Sequence, residues 1–154
     1  MKKIIITSLI IATTAFGDFT LNSKLEKFEL LDQFDKTHMI SKETKKLIFA
    51  YKKDTGHLVK DFLSTKESNY LSSKSAYYIA DVSAMPSFIR WFALDALDDY
   101  NYPILLIEDD EISAKYKDEK NIDKIVVLTL DNLEIKNIQY TQDLKTLQDI
   151  LENK

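Results

Sequence analysis

Histidine and carboxylate side chains are the groups with which this sequence could carry out acid–base chemistry. His57 is one of two histidines in the chain, and it closely follows Asp54 and Thr55, which come just after an apolar run. A histidine beside a carboxylate can act as a general base or contact a ligand. Alternatively, His57 is an exposed residue in the first turn of a helix that Asp54 and Thr55 cap. We favour the second interpretation, because no nucleophile or further carboxylate is spaced to complete a catalytic set.

Several kinds of site are excluded by composition. The chain has no cysteine, which rules out thiol catalysis, disulfides and a lipoprotein anchor. Two isolated histidines do not make a metal-binding pair, and the acidic run 108–111 lacks the residue order of a calcium loop. With only Gly17 and Gly56, the chain has no glycine-rich phosphate loop. We therefore predict no metal and no cofactor.

The N-terminal segment is typical of an export signal. Lys2 and Lys3 precede an apolar run of 13 residues, Ile4 to Phe16, and Ala15 and Gly17 supply small residues for cleavage after position 17. A membrane-spanning helix needs roughly 18–20 apolar residues. The sequence predicts a signal peptide over 1–17 and a periplasmic or secreted protein with no membrane anchor after cleavage. The alternative is a buried N-terminal strand or helix.

Charge argues against one class of partner. The whole chain has a net charge of −4, and no cluster of lysine or arginine alternates with aromatic residues. An acidic surface repels phosphate backbones. We expect no nucleic-acid partner.

The pattern of apolar residues predicts one α/β domain over 28–154, after a flexible lead over 18–27. Short strands are expected over 28–31 and 37–40, which form a hairpin, and a buried strand over 46–51. A helix then starts near Asp54, and the remaining order is strand, helix, strand, two hairpin strands and a helix capped by Thr141. The helix after Pro86 is expected to run to about Tyr100. Parallel crossovers followed by a closing hairpin predict a mixed sheet with helices on both faces.

This order resembles the thioredoxin fold, and the hairpin resembles the opening of peroxiredoxins and related redoxins. Their pattern F-x-L-x-D-Q-x-G-K is matched by Phe28, Leu30, Asp32, Gln33 and Lys36, with Asp35 in place of the glycine. The resemblance extends from Phe28 to the C-terminus. It implies a thioredoxin-like three-layer sandwich with a mixed central sheet and an N-terminal β-hairpin.

The resemblance also implies where a site would lie. In those families the reactive thiol occupies the place of Asp54, Thr55, Gly56 and His57, and Tyr102–Pro103 resembles their cis-proline. A groove at that proline lets such proteins bind extended peptides. Because the sulfur is absent, peroxide reduction and disulfide exchange do not carry over.

The helix after Pro86 suggests a second binding surface. We expect Phe88, Ile89, Phe92 and Leu97 to face the core, and Arg90, Trp91 and Leu94 to lie toward other faces. An exposed cluster around Trp91 and Arg90 would be typical of a binding hot spot. We favour the other interpretation, a wide stripe that faces the core.

The functional expectation is an exported, periplasmic, redox-inactive thioredoxin-like protein that acts by binding a protein or a small ligand. A protein partner is expected to be an envelope protein or an extended peptide. Two alternatives stay open. One is a non-thiol enzyme that uses His57, Asp54 and Tyr102; the other is a structural subunit of an envelope assembly.

Overall fold

The computed structural model describes residues 17–153, so the predicted signal lies outside the described residues apart from Gly17. Seven strands are present: β1 (Phe28–Leu31), β2 (Thr37–Ile40), β3 (Lys46–Ala50), β4 (Ala76–Asp81), β5 (Ile104–Ile107), β6 (Ile125–Asp131) and β7 (Glu134–Thr141). β1 and β2 form a separate antiparallel hairpin, and the other five form a sheet in the order β5-β4-β3-β6-β7. β3, β4 and β5 run parallel, whereas β6 is antiparallel to both β3 and β7. The mixed sheet predicted from the sequence is confirmed.

The helices lie between and after these strands. They are α1 (Lys53–Ser64), α2 (Tyr70–Ser73), α3 (Ser87–Asp95), α4 (Asp110–Tyr116) and α5 (Leu144–Glu152), with a 3₁₀ turn at Glu119–Asn121. α3 ends at Asp95, earlier than expected. α4 was missed because its segment is so acidic; acidic residues are in fact favourable in the first turn of a helix, and Asp109 accepts hydrogen bonds there from the N–H groups of Glu111 and Ile112. α5 is capped by Asp143 rather than by Thr141.

Two apolar cores sandwich the sheet. On one face, β3 and β4 side chains such as Ile48 and Tyr78 pack with Val59 of α1 and Leu147 of α5. The other face packs against the hairpin, α4 and Leu133. This arrangement explains why β3 contains a continuous apolar run. Both faces of the strand are covered, so none of its apolar side chains faces solvent and no alternation with polar residues is needed.

The lead over 18–27, which we expected to be flexible, lies against the domain. The N–H of Asn22 donates to the carbonyl of Ile135 at 2.8 Å, and the N–H of Leu25 donates to that of Leu133 at 2.9 Å. Phe19 packs 5.2 Å from Phe49, measured between ring centroids. The lead thereby supplies partners for backbone groups at the edge strand β7, which would otherwise be open to pairing with another chain.

The hairpin is attached to β5 through Gln33. Its amide NH₂ donates to the carbonyl of Tyr102 at 2.9 Å, and its amide oxygen accepts the N–H of Ile104 at 2.8 Å. These two bonds bracket Pro103, which has no N–H to contribute. Asp35 adopts a φ of +59°, which explains why an aspartate can stand where the redoxin pattern has glycine.

We predict that Gln33→Ala destabilises the protein by about 1–3 kcal/mol, because it leaves the N–H of Ile104 and the carbonyl of Tyr102 without partners. Urea unfolding followed by circular dichroism measures the effect. Gln148→Ala, at an exposed position of α5, is the matched control and should change the free energy of unfolding by less than about 0.5 kcal/mol. Equal effects of the two substitutions would contradict the attachment role.

Candidate functional site

Asp54 to His57, the residues that correspond by resemblance to a thiol-bearing loop, form the first turn of α1. Their side chains do not form a catalytic set. Thr55 is buried, and its hydroxyl donates to the carbonyl of Lys52 at 3.0 Å and accepts the Lys52 N–H at 3.3 Å. Asp54 and His57 are exposed. Among residues 17–153, neither side chain makes a hydrogen bond or ion pair within the usual distance limits. The first turn of α1 therefore places its one buried polar side chain in a capping role.

Gly56 sits close over the core at this point. A Cβ added there would lie 3.5 Å from the Tyr78 hydroxyl, an ordinary contact distance. A shallow cleft of about 240 Å³ lies beside it, lined by Lys52, Asp54, Thr55, Leu58, Asp123 and Gln142. Five of its six lining residues are polar or charged, and the side chain of Gln142 donates to the carbonyl of Asp123 at 3.1 Å.

Tyr102 and Pro103 do not lie with this loop, contrary to what the resemblance implied. Pro103 immediately precedes β5, which runs parallel to β3, so it lies where the parallel strands begin; Asp54 to His57 follow the point where β3 ends. The Tyr102–Pro103 peptide is trans, since no residue of the described range has a cis bond. The apolar strand after Pro103 pairs with β4 at the sheet edge, and the antiparallel neighbour of β3 is β6. The two residues that precede β6 are Asp123 and Lys124, so no proline stands directly before the antiparallel neighbour of β3.

Tyr102 is a core residue. It is 4% exposed and packs with Tyr78 and Tyr100, and its hydroxyl has no hydrogen-bond partner among the described residues. Burial, with a smaller contribution from Tyr100, raises the pKa of the Tyr102 phenol above its ordinary value. A neutral phenol held in this way packs α1 against the sheet and offers no base at neutral pH.

The hairpin holds a polar pair that the sequence analysis missed. His38 Nε2 lies 2.7 Å from Asp32 Oδ2, and Asp32 also accepts the N–H groups of Phe34 and Lys36. Burial opposes ionisation of Asp32, but the hydrogen bonds from His38 and the backbone outweigh it and hold the pKa of this carboxyl below its usual value. His38 lines an open cavity of about 400 Å³ together with Lys36, Thr44, Tyr77 and Pro103. The sequence gives no sign of this pair, because Asp32 and His38 are six positions apart and come together only through the turn between β1 and β2.

The most unusual surface belongs to α3. None of its residues is buried, and four large apolar side chains are exposed: Phe88 at 72%, Ile89 at 47%, Trp91 at 66% and Phe92 at 66%. Leu94 and Leu97 pack against the core instead. The expectation that Phe88, Ile89 and Phe92 serve the core and that Leu94 does not is therefore wrong, whereas Trp91 is exposed as expected. We call the four exposed residues the α3 apolar face.

Arg90 explains which side of α3 turns inward. Its guanidinium donates to the carbonyls of Ser83 at 2.7 Å, Met85 at 2.9 Å and Glu108 at 3.2 Å. Arg90 and Leu94 share one side of the helix by their spacing of four, which places Phe88 and Phe92 on the opposite side. Leu97 follows just after the helix ends and packs against the same core. Arg90 is thus a structural residue that presents the α3 apolar face, and it does not belong to the exposed cluster.

The comparisons with known proteins identify the fold. No protein-family model matches the sequence, and no curated protein matches it either. A peroxiredoxin-like protein from Aquifex aeolicus superposes with a TM-score of 0.54 at 7% identity, covering 88% of this chain and 87% of the other. Peroxidoxin BcpB from Mycobacterium tuberculosis gives 0.55 at 10% identity, covering 87% and 94%. The thioredoxin domain of a thiol-disulfide oxidoreductase from Bacteroides vulgatus gives 0.50 at 12% identity, covering 88% and 100%.

The chain has a thioredoxin-like fold. At these identities the likeness shows the fold alone, and this thioredoxin-like chain departs from the chemistry named for those proteins because it contains no cysteine. It has no thiol of its own with which to reduce a peroxide or exchange a disulfide.

Proposed function

We propose that this protein is an exported, redox-inactive thioredoxin-like module that acts by binding another protein through the α3 apolar face. The observation that carries the proposal is the exposure of Phe88, Trp91 and Phe92 on one short helix. Burying a side chain of this size is favourable by about 1.5–3 kcal/mol. Both cores of the domain are filled by other residues, so packing within the domain does not explain why three aromatic rings are exposed to water.

The composition of this surface supports a protein partner. Trp91 and its neighbour Phe92 contact each other edge to face, with ring centroids 4.8 Å apart. Tryptophan is enriched at the energetic centres of interfaces, because one rigid ring buries much area at little entropic cost. Contiguous exposed apolar patches with a polar border mark interaction sites on soluble domains.

Export is supported by the N-terminal sequence. The basic start at Lys2 and Lys3, the apolar run and the small residues before position 18 match the parts of a secretory signal. Within residues 17–153, no helix is long and apolar enough to cross a bilayer.

The binding role predicts that serine substitutions in the α3 apolar face abolish partner capture. The wild-type chain, affinity-tagged, should retain at least one envelope protein at about tenfold over background. We expect the Phe88→Ser/Trp91→Ser chain to lose that protein, because it lacks two aromatic side chains that the partner would bury. Capture from the envelope fraction of the producing cells, with mass spectrometry, measures this. Leu144→Ser, which alters an apolar residue of α5 that is 39% exposed, should capture like the wild type. Identical profiles for all three proteins would rule out α3 as the binding surface.

The export role predicts a processed N-terminus. When the full chain is expressed in a Gram-negative bacterium, we expect it in the periplasmic fraction with Asp18 as its first residue. Ile10→Glu should keep the protein in the cytoplasm, because a charge in the apolar stretch disrupts the signal. Cell fractionation and N-terminal sequencing give the result; a wild-type protein that stays in the cytoplasm with its first residues intact would contradict export.

A further inference from the structure

We infer that the segment that covers the α3 apolar face is cationic and amphipathic, a helix or strand with apolar side chains on one side and lysine or arginine around them. This inference rests on the proposed binding function and specifies the chemistry of the partner. It follows from the charges that surround the face and from what those charges exclude.

The charge of the chain is concentrated around α3. Between Asp81 and Glu111 the sequence has eight acidic residues and one basic residue, so this segment carries −7 although the whole chain carries −4. The remaining residues therefore have a small positive sum. An acidic border of this density produces a local potential that attracts cations and repels anions.

One acidic side chain lies within the apolar face, and others follow it along the chain. Asp95 is one helical turn from Trp91 and Phe92 on α3, and Asp98 comes three residues after it. Glu108 lies 3.9 Å from Arg90, on the other side of the helix, at the start of the acidic run that leads into α4. Seven of these carboxylates are exposed: Asp95, Asp98, Asp99, Glu108, Asp109, Asp110 and Glu111.

The cations at this surface do not cancel that charge. Arg90 is directed to backbone carbonyls and its side chain is only 20% exposed. Lys60 lies with its ammonium 5.3 Å from the centroid of the Tyr100 ring. Within residues 17–153, Asp95, Asp98 and Asp99 have no ion-pair partner inside 4.0 Å, so an incoming lysine or arginine would meet carboxylates that are still free.

The same charges disfavour the other occupants of an apolar face. A symmetric contact between two copies would bring two acidic borders together, since the same patch faces itself across a two-fold axis. Anionic lipid surfaces and nucleic acids would be repelled for the same reason. A neutral apolar segment would gain the contact with the rings but nothing from the border. Only a cationic amphipathic segment satisfies both parts of the surface.

Trp91 makes the inference directly measurable, because it is the only tryptophan in the chain. The probe is a synthetic amphipathic helix of leucine and lysine that contains no tryptophan, titrated into the full-chain protein as purified. We expect a saturable blue shift of the Trp91 emission as its ring leaves water. Raising NaCl to about 0.5 M should weaken binding about tenfold or more, because screening then acts within a few ångströms.

Two further peptides and two variants separate the causes. A peptide with glutamate in place of lysine should not bind, and one with serine in place of leucine should bind at least about tenfold more weakly. The variant Asp95→Lys/Asp98→Lys should bind the leucine–lysine peptide about tenfold more weakly or worse, whereas Asp149→Lys, an equivalent change at an exposed position of α5, should bind like the wild type.

The outcomes distinguish the two proposals. Equal binding of the lysine and glutamate peptides, or no effect of Asp95→Lys/Asp98→Lys, overturns the cationic partner and leaves the binding role of α3 standing. A Trp91 emission already blue-shifted without peptide, together with a dimeric mass in light scattering, assigns the face to a second copy. The same shift in a monomer that retains residues 1–17 assigns it to the chain's own N-terminal segment. Either result also overturns the inference.

Discussion

The hydrogen bonds of the Arg90 guanidinium are the constraint on which the rest of this account depends. Three carbonyl groups, from Ser83, Met85 and Glu108, hold this side chain against the loops that follow β4 and β5. A helix can turn only one side toward the sheet, and a guanidinium bonded to several backbone carbonyls fixes that side, because charge-assisted hydrogen bonds are strong and directional. With Arg90 inward, Leu94 and Leu97 also face inward, and the aromatic residues of α3 face water.

A thioredoxin-like scaffold explains why this surface can exist without unfolding the domain. β3 and its neighbours are filled on both faces, and the attachment of the hairpin through Gln33 closes the β5 side. α3 belongs to the crossover between the parallel strands β4 and β5, and Leu94 packs against the core while the aromatic side of the helix stays outside it. The loop from Asp54 to His57, where related folds place a thiol, is reduced here to the capped start of a helix. The chain has no cysteine at this loop, and its exposed apolar side chains lie on α3 instead.

Much of the fold could be predicted from the sequence, because its signals are local. The strands 28–31, 37–40 and 104–107 have the predicted bounds, since each is a short apolar or alternating run between turn residues. The pairing of the strands is not local, and it misled the site assignment. The resemblance put Pro103 with the Asp54 loop, whereas β5 pairs with β4, and the neighbours of β3 are β4 and β6. For α3 the periodicity gave two apolar sides; only the carbonyls that receive Arg90 decide which one is buried. The Asp32–His38 pair depended in the same way on a turn that the sequence alone does not build.

The most direct test of the central claim is collisional quenching of Trp91 by caesium and by iodide in the protein alone. This single tryptophan is 66% exposed, and Asp95 lies one helical turn from it at the start of the acidic segment. Relative to free N-acetyltryptophanamide, we therefore predict that caesium quenches it at near full efficiency and iodide much less, with the difference vanishing at high salt. A tryptophan protected from both ions would contradict the exposed face, and one quenched more readily by iodide would contradict its acidic surroundings.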